Sequence, residues 1–540
     1  MKKFYLVIVV ALFCYQATAV PLTGTKTIRT AGGDYPTFTA AFADLNANGV
    51  GAGGVIFNVD AGFTSAEDPV AITATGTANN PVIFQKSGTG ANPAVKPTGT
   101  AATNEFAIKI AGGDYFTFDG IDVTINTGSL VEWGYVLEGS SANGCRNNTV
   151  RNCNITLNKT NTASRGVYVY SATAPTSALN SNSNNKFYNV NIQNTYAGYF
   201  LSGSSTYLDQ NNEIGTINGG TATLSNIGGG TVTCSVISVT SQQNLKLFSQ
   251  NIINDSTTTA QINGILQSGA ASTSSIYNNV IRNVKSNTTS TSTVYGINIS
   301  GGTSIKIYNN IIDSVFATNG AAAGINGSTS GSGSTYPVYD VYANKITNIR
   351  SNGTSAINSA FGFNNSGANV TLNLYKNYVS NIENNGGGTA GLAVGISTSG
   401  GSGATNTIPC NVYNNFVSGI KNPAGTAVGG TRGINLVGGT SYFYVFNNTV
   451  YLDYTPTAAT ASGAALFLAA SSNSFDIRNN IFVNNMVNGS GARSVALYAA
   501  GTGYLSKFAS TSDNNVYFAG TPSATNLIYY DGTNADLRWQ

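Results

Sequence analysis

SIKIYNNIIDSV, residues Ser304 to Val315, opens with Ile305 and Ile307 two residues apart, the spacing of a half-buried strand, and then breaks that alternation at Asn309-Asn310. The break recurs along the chain. SSIYNNVIRNV (Ser274–Val284) precedes it, and CNVYNNFVSGI (Cys410–Ile420) and FDIRNNIFVNN (Phe475–Asn485) follow it. Taking the second Asn of each pair as a phase mark gives Asn279, Asn310, Asn344, Asn377, Asn415, Asn448, Asn480 and Asn515. Weaker copies extend the series back through Asn251, Asn212, Asn185 and Asn148, at a mean spacing of about 33 residues. A period of that length is the signature of a solenoid.

Numbered from the phase Asn, position −3 reads Ile276, Ile307, Val341, Leu374, Val412, Val445 and Ile477, and position +2 reads Ile281, Ile312, Ile346, Val379, Val417, Val450 and Phe482. These are two short strands whose inward faces fall out of step across the Asn pair. A break of phase at Asn is a bend, because Asn tolerates the left-handed backbone conformation. If every copy bends at the same place, the Asn side chains stack along the axis and hydrogen-bond to one another. A third apolar element precedes each bend, as in YGINISGG and RGINLVGG, and no amphipathic helix separates the three. The expected fold is all-β: a parallel β-helix of about 12–14 coils, a rod on the order of 60–70 Å at one strand spacing per coil.

The Asn-Asn bends between residues 53 and 518 resemble the internal asparagine ladder of the secreted bacterial right-handed parallel β-helix proteins, the pectate-lyase-like superfamily. GGDYPTFTAAFADLNANG (Gly32–Gly49) sets Phe38, Ala41, Phe42 and Leu45 on one face of a short helix, which resembles the N-terminal cap of that family. GGDYFTFDGIDVTI (Gly112–Ile125) resembles its early-coil signature, and the long solenoid resembles type IX secretion cargo. The resemblance implies a right-handed coil. It leaves function open, since this fold hosts lyases, hydrolases, phage spikes and adhesins.

Composition narrows the partners. The chain has 540 residues, 63 of them Gly, with 9% charged residues and a formal charge of +3. No basic stripe follows the first three residues, so nucleic acid is not an expected partner. The absence of His excludes Ser-His-Asp and Cys-His catalysis. MKKFYLVIVVALFCYQATA reads as a secretory signal peptide over residues 1–19, which directs the protein to the cell surface or the medium, and no other apolar run is long enough to span a membrane. A cap segment follows over 20–52 and the solenoid over 53–520. With no plug or sorting segment after it, 521–540 reads as an open end that a longer chain would continue. By this register Cys145 and Cys153 fall where other copies carry Ile276 and Val284, and Cys410 on the same inward parity, so the cysteines are expected as small core residues and not as a disulfide framework. No cofactor and no metal site is expected.

Registering the repeat pairs charges across coils: Arg282 with Asp313, Lys306 with Asp340, and Arg350, Glu383 and Lys421 in succession. The acids left over for chemistry lie early, at Asp119, Asp122, Glu132 and Glu138, with Trp133 between the last two and Arg146 and Arg151 one coil on. Carboxylates beside Trp suit a sugar subsite, and close pairing would make them a hydrolase or lyase centre. Position −2 carries Tyr277, Tyr308, Tyr342, Tyr375, Tyr413 and Phe446, an outward aromatic stripe that either stabilises the coils by stacking or binds an extended polysaccharide. The reading is a secreted, non-catalytic β-helix scaffold or adhesin that binds polysaccharide or cell-surface glycans. The alternative is a polysaccharide lyase or glycoside hydrolase with its site on the early coils.

Overall fold

The computed structural model describes residues 20–99, 103–126, 128–254, 260–287, 291–331, 336–353, 358–399, 408–438, 442–469, 474–487 and 492–537. The signal peptide expected over 1–19 lies outside them. The chain coils through three 15-stranded sheets, A, B and C, visiting one after another in every turn. Strands in successive turns pair in parallel, and the coil is right-handed. Among the described residues the one antiparallel pair closes sheet C, where Asn526–Tyr530 meets Ala535–Asp536. The architecture is the expected one, with about 15 turns where 12–14 were counted, or roughly 70 Å of rod. The helix Phe38–Asn48 lies between the first two strands of sheet A, Leu22–Ile28 and Val50–Asp60, and buries Phe38, Ala41, Phe42 and Leu45. Thr37 caps it by accepting from the Ala40 N–H, and Glu67 accepts from the Phe38 and Thr39 N–H groups at 3.0 and 2.6 Å.

The Asn pair divides its work. At the corner from sheet A to sheet B the first Asn takes the left-handed conformation, with φ of 56°, 55° and 56° at Asn278, Asn309 and Asn414. The second Asn is buried and builds the ladder. Asn310, for example, donates its backbone N–H and its Nδ2 to Asn344 Oδ1 at 3.0 and 2.9 Å, and its Nδ2 also reaches Ile276 O in the preceding coil at 2.9 Å. The pattern runs unbroken from Asn279 to Asn515. Ala343 and Lys376 hold left-handed backbones in this column without the side chain that favours them.

Four of the twelve phase marks are misplaced. Thr149, Lys186, Glu213, Lys246 and Ser275 share one register, so Asn148, Asn185 and Asn212 align with Ser274, five residues ahead of Asn279. They form a second ladder at the corner from sheet C to sheet A, with Asn148 N–H donating to Asn185 Oδ1 and Asn185 N–H to Asn212 Oδ1. Asn251 gives way to Gln250, whose N–H donates to Asn279 Oδ1 at 2.9 Å. In the earlier coils the ladder slot is filled by Ile121, Cys153 and Val190, which is why counting Asn undercounts the turns. Cys153 therefore matches Asn279 and not Val284. The cysteines are nonetheless core residues: Cys145, Cys153 and Cys410 are fully enclosed, burial pushes each thiol up to about 12, and Cys234 is buried as well.

The cross-coil register of the charged residues is as expected, but only some pairs close. Arg350 and Glu383 form an ion pair at 2.7 Å. Asp313 lies opposite Arg282 yet accepts from Thr347 at 3.0 Å, and Asp340 lies opposite Lys306 yet accepts from Asn373 at 2.7 Å. Short neutral donors from the next coil take these carboxylates. Screened surface pairs contribute only about 0–1 kcal/mol each, so little is lost.

Candidate functional site

The four early acids are not gathered into one centre. Asp119 ends a strand of sheet A, Asp122 begins one of sheet B, Glu132 immediately precedes the sheet C strand Trp133–Gly139, and Glu138 lies within it. Glu132 and Glu138 are six residues apart along an extended chain, roughly 20 Å. Each carboxylate is already engaged. Asp119 pairs with Arg151 at 2.8 Å and accepts from Asn152 at 2.7 Å. Asp122 accepts from Asn92 Nδ2 at 2.8 Å and from the Asn154 backbone N–H and Nδ2 at 2.8 and 2.9 Å. Glu132 accepts from the Glu105 N–H at 2.8 Å. Glu138 is bound by Lys109 at 2.7 Å and by the Tyr170 hydroxyl at 2.6 Å. Burial raises the Glu138 pKa, but these two donors outweigh it and hold the carboxyl below its ordinary value. A general acid needs the opposite shift.

Asp119 also shares a register with the aromatic stripe. The column on sheet A runs Gln85, Asp119, Arg151 and Tyr188, passes Gly215, and continues through Phe248 and Tyr277 to Tyr413, Phe446 and Arg478. Ring centroids from Phe248 to Tyr413 are 5.3, 4.8, 4.9, 4.8 and 4.8 Å apart, with planes within 12° of parallel. The stack thus gains Phe248, which the sequence reading left out. Phe446 lies in register but tilts toward Tyr444, and the Arg478 guanidinium covers it at 4.6 Å. Gly215 lets the Phe248 ring lean across toward Tyr188, since a Cβ there would meet that ring at 2.3 Å.

This geometry decides what the stripe can touch. Each interior ring has both faces covered by its neighbours, so only its edge and its hydroxyl point outward. A sugar cannot lie flat on such a ring. It can meet a row of five phenol hydroxyls about 19 Å long, one per coil. Burial in the stack, then the neighbouring Tyr308 ring, push the Tyr277 pKa up, so the row remains protonated and able to donate at neutral pH. Beside it runs a polar column in which Asn411 donates to Asn373 and Asn373 to Asp340, both at 2.7 Å.

The outer face of sheet C holds a second aromatic group in the early coils. Trp133 is 5.1 Å from Tyr168 and 5.9 Å from Tyr170, and Phe200 is 5.7 Å from Tyr168. The Arg165 guanidinium sits over Tyr168 and Phe200 at 4.2 and 4.4 Å. Of these residues the sequence had marked only Trp133. The alternation Tyr168-Val169-Tyr170 was the available signal, since it puts two rings on one strand face. Among the described residues no group of three acidic or cysteine side chains is arranged to hold a metal ion, and no helix is long and apolar enough to cross a membrane.

No protein-family model matches the chain, and no curated protein does. Among solved structures, the native and selenomethionine forms of a GH136 lacto-N-biosidase from Eubacterium ramulus are each similar at 11% identity, with TM-scores of 0.43 and 0.45. The first covers 66% of this chain and the second 78%, and this chain spans 63% and 67% of theirs. The PL6 family alginate lyase AlyGC is similar at 9% identity and a TM-score of 0.31, over 88% of this chain and 80% of its own. These likenesses are in the course of the backbone.

Proposed function

We propose that the protein is a secreted or cell-surface β-helix scaffold that binds an extended polysaccharide along sheet A without cleaving it. Export through a cleaved signal peptide, as in type IX cargo, belongs to the same reading. The observation that carries it is the hydroxyl row from Tyr277 to Tyr413, flanked by Asp340, Asn373 and Asn411. A regular line of donors and acceptors fits a polymer with many hydroxyls better than a compact ligand. The alternative, a lyase or hydrolase on the early coils, needs two carboxyl groups about 5–10 Å apart and available to a substrate, and each early acid is already held by protein donors.

The test is the triple substitution Tyr308→Phe, Tyr342→Phe and Tyr375→Phe. It removes three hydroxyls and leaves the ring stack in place. Retention on a panel of insoluble polysaccharides should fall at least tenfold while melting shifts by no more than a degree or two, and no new reducing ends or unsaturated products should appear with either protein. Unchanged retention would sink the reading, and steady product release would move it to the enzyme class.

A further inference from the structure

We infer that the outer face of sheet C around Arg165 is a second saccharide subsite, selective for a sugar that carries a carboxylate. This rests on the proposal that the protein binds polysaccharide, and adds a site and a substrate class to it. Four features converge. Arg165 is partly exposed, and among the described residues no carboxylate lies within ion-pair distance of it. The acids nearby are engaged elsewhere, Glu138 by Lys109 at 2.7 Å and Glu132 by the Glu105 N–H at 2.8 Å. The guanidinium lies over both Tyr168 and Phe200, whose planes are 75° apart, which restrains its direction, and its planar fork suits a carboxylate in the bidentate geometry that distinguishes Arg from Lys. Trp133, 6% exposed, has an indole N–H with no acceptor, an unfavourable state for a buried donor and one that an acceptor on a ligand would relieve.

The rings here differ from the sheet A stack in a way that matters for a sugar. Tyr168 and Tyr170 stack on each other at 4.2 Å, but Trp133 meets them edge to face or tilted, at 61° and 60°, so the group is not one continuous parallel stack. A pyranose with its carboxylate on Arg165 can therefore set its C–H face against an aromatic surface, and the Tyr170 hydroxyl, which donates to Glu138, lies at the rim to accept from a sugar hydroxyl. The ligand that satisfies a cation, a ring face and a buried N–H together is a uronate unit of an acidic polysaccharide.

The full-length protein is tested for retention on immobilised polygalacturonate, on a neutral β-glucan and on a sulfated galactan, as wild type, Arg165→Gln, Arg165→Lys and the triple Tyr→Phe variant. Arg165→Gln should lose polygalacturonate retention tenfold or more and keep neutral-glucan retention, with Arg165→Lys between them because charge remains and the fork is lost. Arg165→Lys also serves as the variant expected to stay folded if Arg165→Gln does not. Wild-type retention of polygalacturonate by Arg165→Gln overturns the inference, as does retention of the sulfated polymer without the polyuronate. Wild-type protein that holds neutral glucan but no polyuronate removes this site alone. Wild-type protein that holds none of the three removes the polysaccharide reading together with it.

Discussion

Asp209 is a carboxylate inserted into a line of buried amides, and its replacement by Asn should change how stability depends on pH. It is 1% exposed, accepts from the Asn182 N–H at 2.9 Å and from Gln242 Nε2 at 3.3 Å, and has no cation in ion-pair reach among the described residues. Burial pushes its pKa from the ordinary 3.8 to about 7, against the two hydrogen bonds that favour the anion. Below about pH 4 both folded and unfolded chains carry the proton and nothing is lost. Between 4 and 7 the unfolded chain ionises while the folded one keeps its proton, so stability falls as pH rises, and the loss is complete above 7. A shift of this size corresponds to on the order of 4 kcal/mol. In Asp209→Asn the Oδ1 still accepts from Asn182, the new Nδ2 faces the Gln242 amide at a cost of about 1 kcal/mol at every pH, and the titration disappears. The variant should start about 1 kcal/mol below wild type at pH 4 and finish about 3 kcal/mol above it at pH 8. Urea midpoints between these limits, with hydrogen exchange over the coils holding 209 and 242 to allow for segmental unfolding, would read the difference. Parallel pH profiles for the two proteins, or a variant weaker than wild type at pH 8, would refute the reasoning.

Two further outcomes follow from local geometry. Ala343→Asn and Lys376→Asn put the favoured side chain on left-handed backbones, φ 54° and 55°, and should each add roughly 0.5–1 kcal/mol, read as a higher denaturation midpoint. No gain in either would mean the corner is not strained. Glu67→Ala removes the acceptor for the first two N–H groups of the Phe38–Asn48 helix and should cost about 1–2 kcal/mol, visible as faster exchange of the helix amides while the later coils stay protected. Equal exchange in the two proteins would show that the helix is held by its buried face alone.

The fold was legible because one device repeats: an apolar residue at −3, an Asn pair, and an apolar residue at +2 admit only strands that bend at the same place. The same economy caused the main misreading. Asn147-Asn148 and Asn309-Asn310 are alike in sequence and both divide the work between a left-handed residue and a ladder residue, yet they turn different corners. Only the pairing of Thr149 with Lys186, and so on down to Ser275, tells them apart, and strand partners are not written in a local motif. The aromatic stripe was visible as a column, but that its rings stand face to face depends on the coil spacing matching the stacking distance, as at 4.8 Å between Tyr277 and Tyr308. The group on sheet C was harder to see. Arg165, Tyr168 and Tyr170 meet Trp133 from the preceding coil and Phe200 from the next across loops of unequal length, so no fixed offset betrays them.

The asparagine ladder also has a direction of dependence. Each Asn between Asn279 and Asn480 sends its backbone N–H and its side-chain amide forward to the oxygen of the Asn one coil later, and anchors backward on a carbonyl of the coil before. A coil emerging from a ribosome or an export pore in N-to-C order finds its rearward anchor already built, and leaves one turn with unmet donors at the growing tip. The next coil to arrive meets that need and transfers it forward. In a rod built in that order the helix-capped end would template the rest, and only the most recent corner would be incomplete.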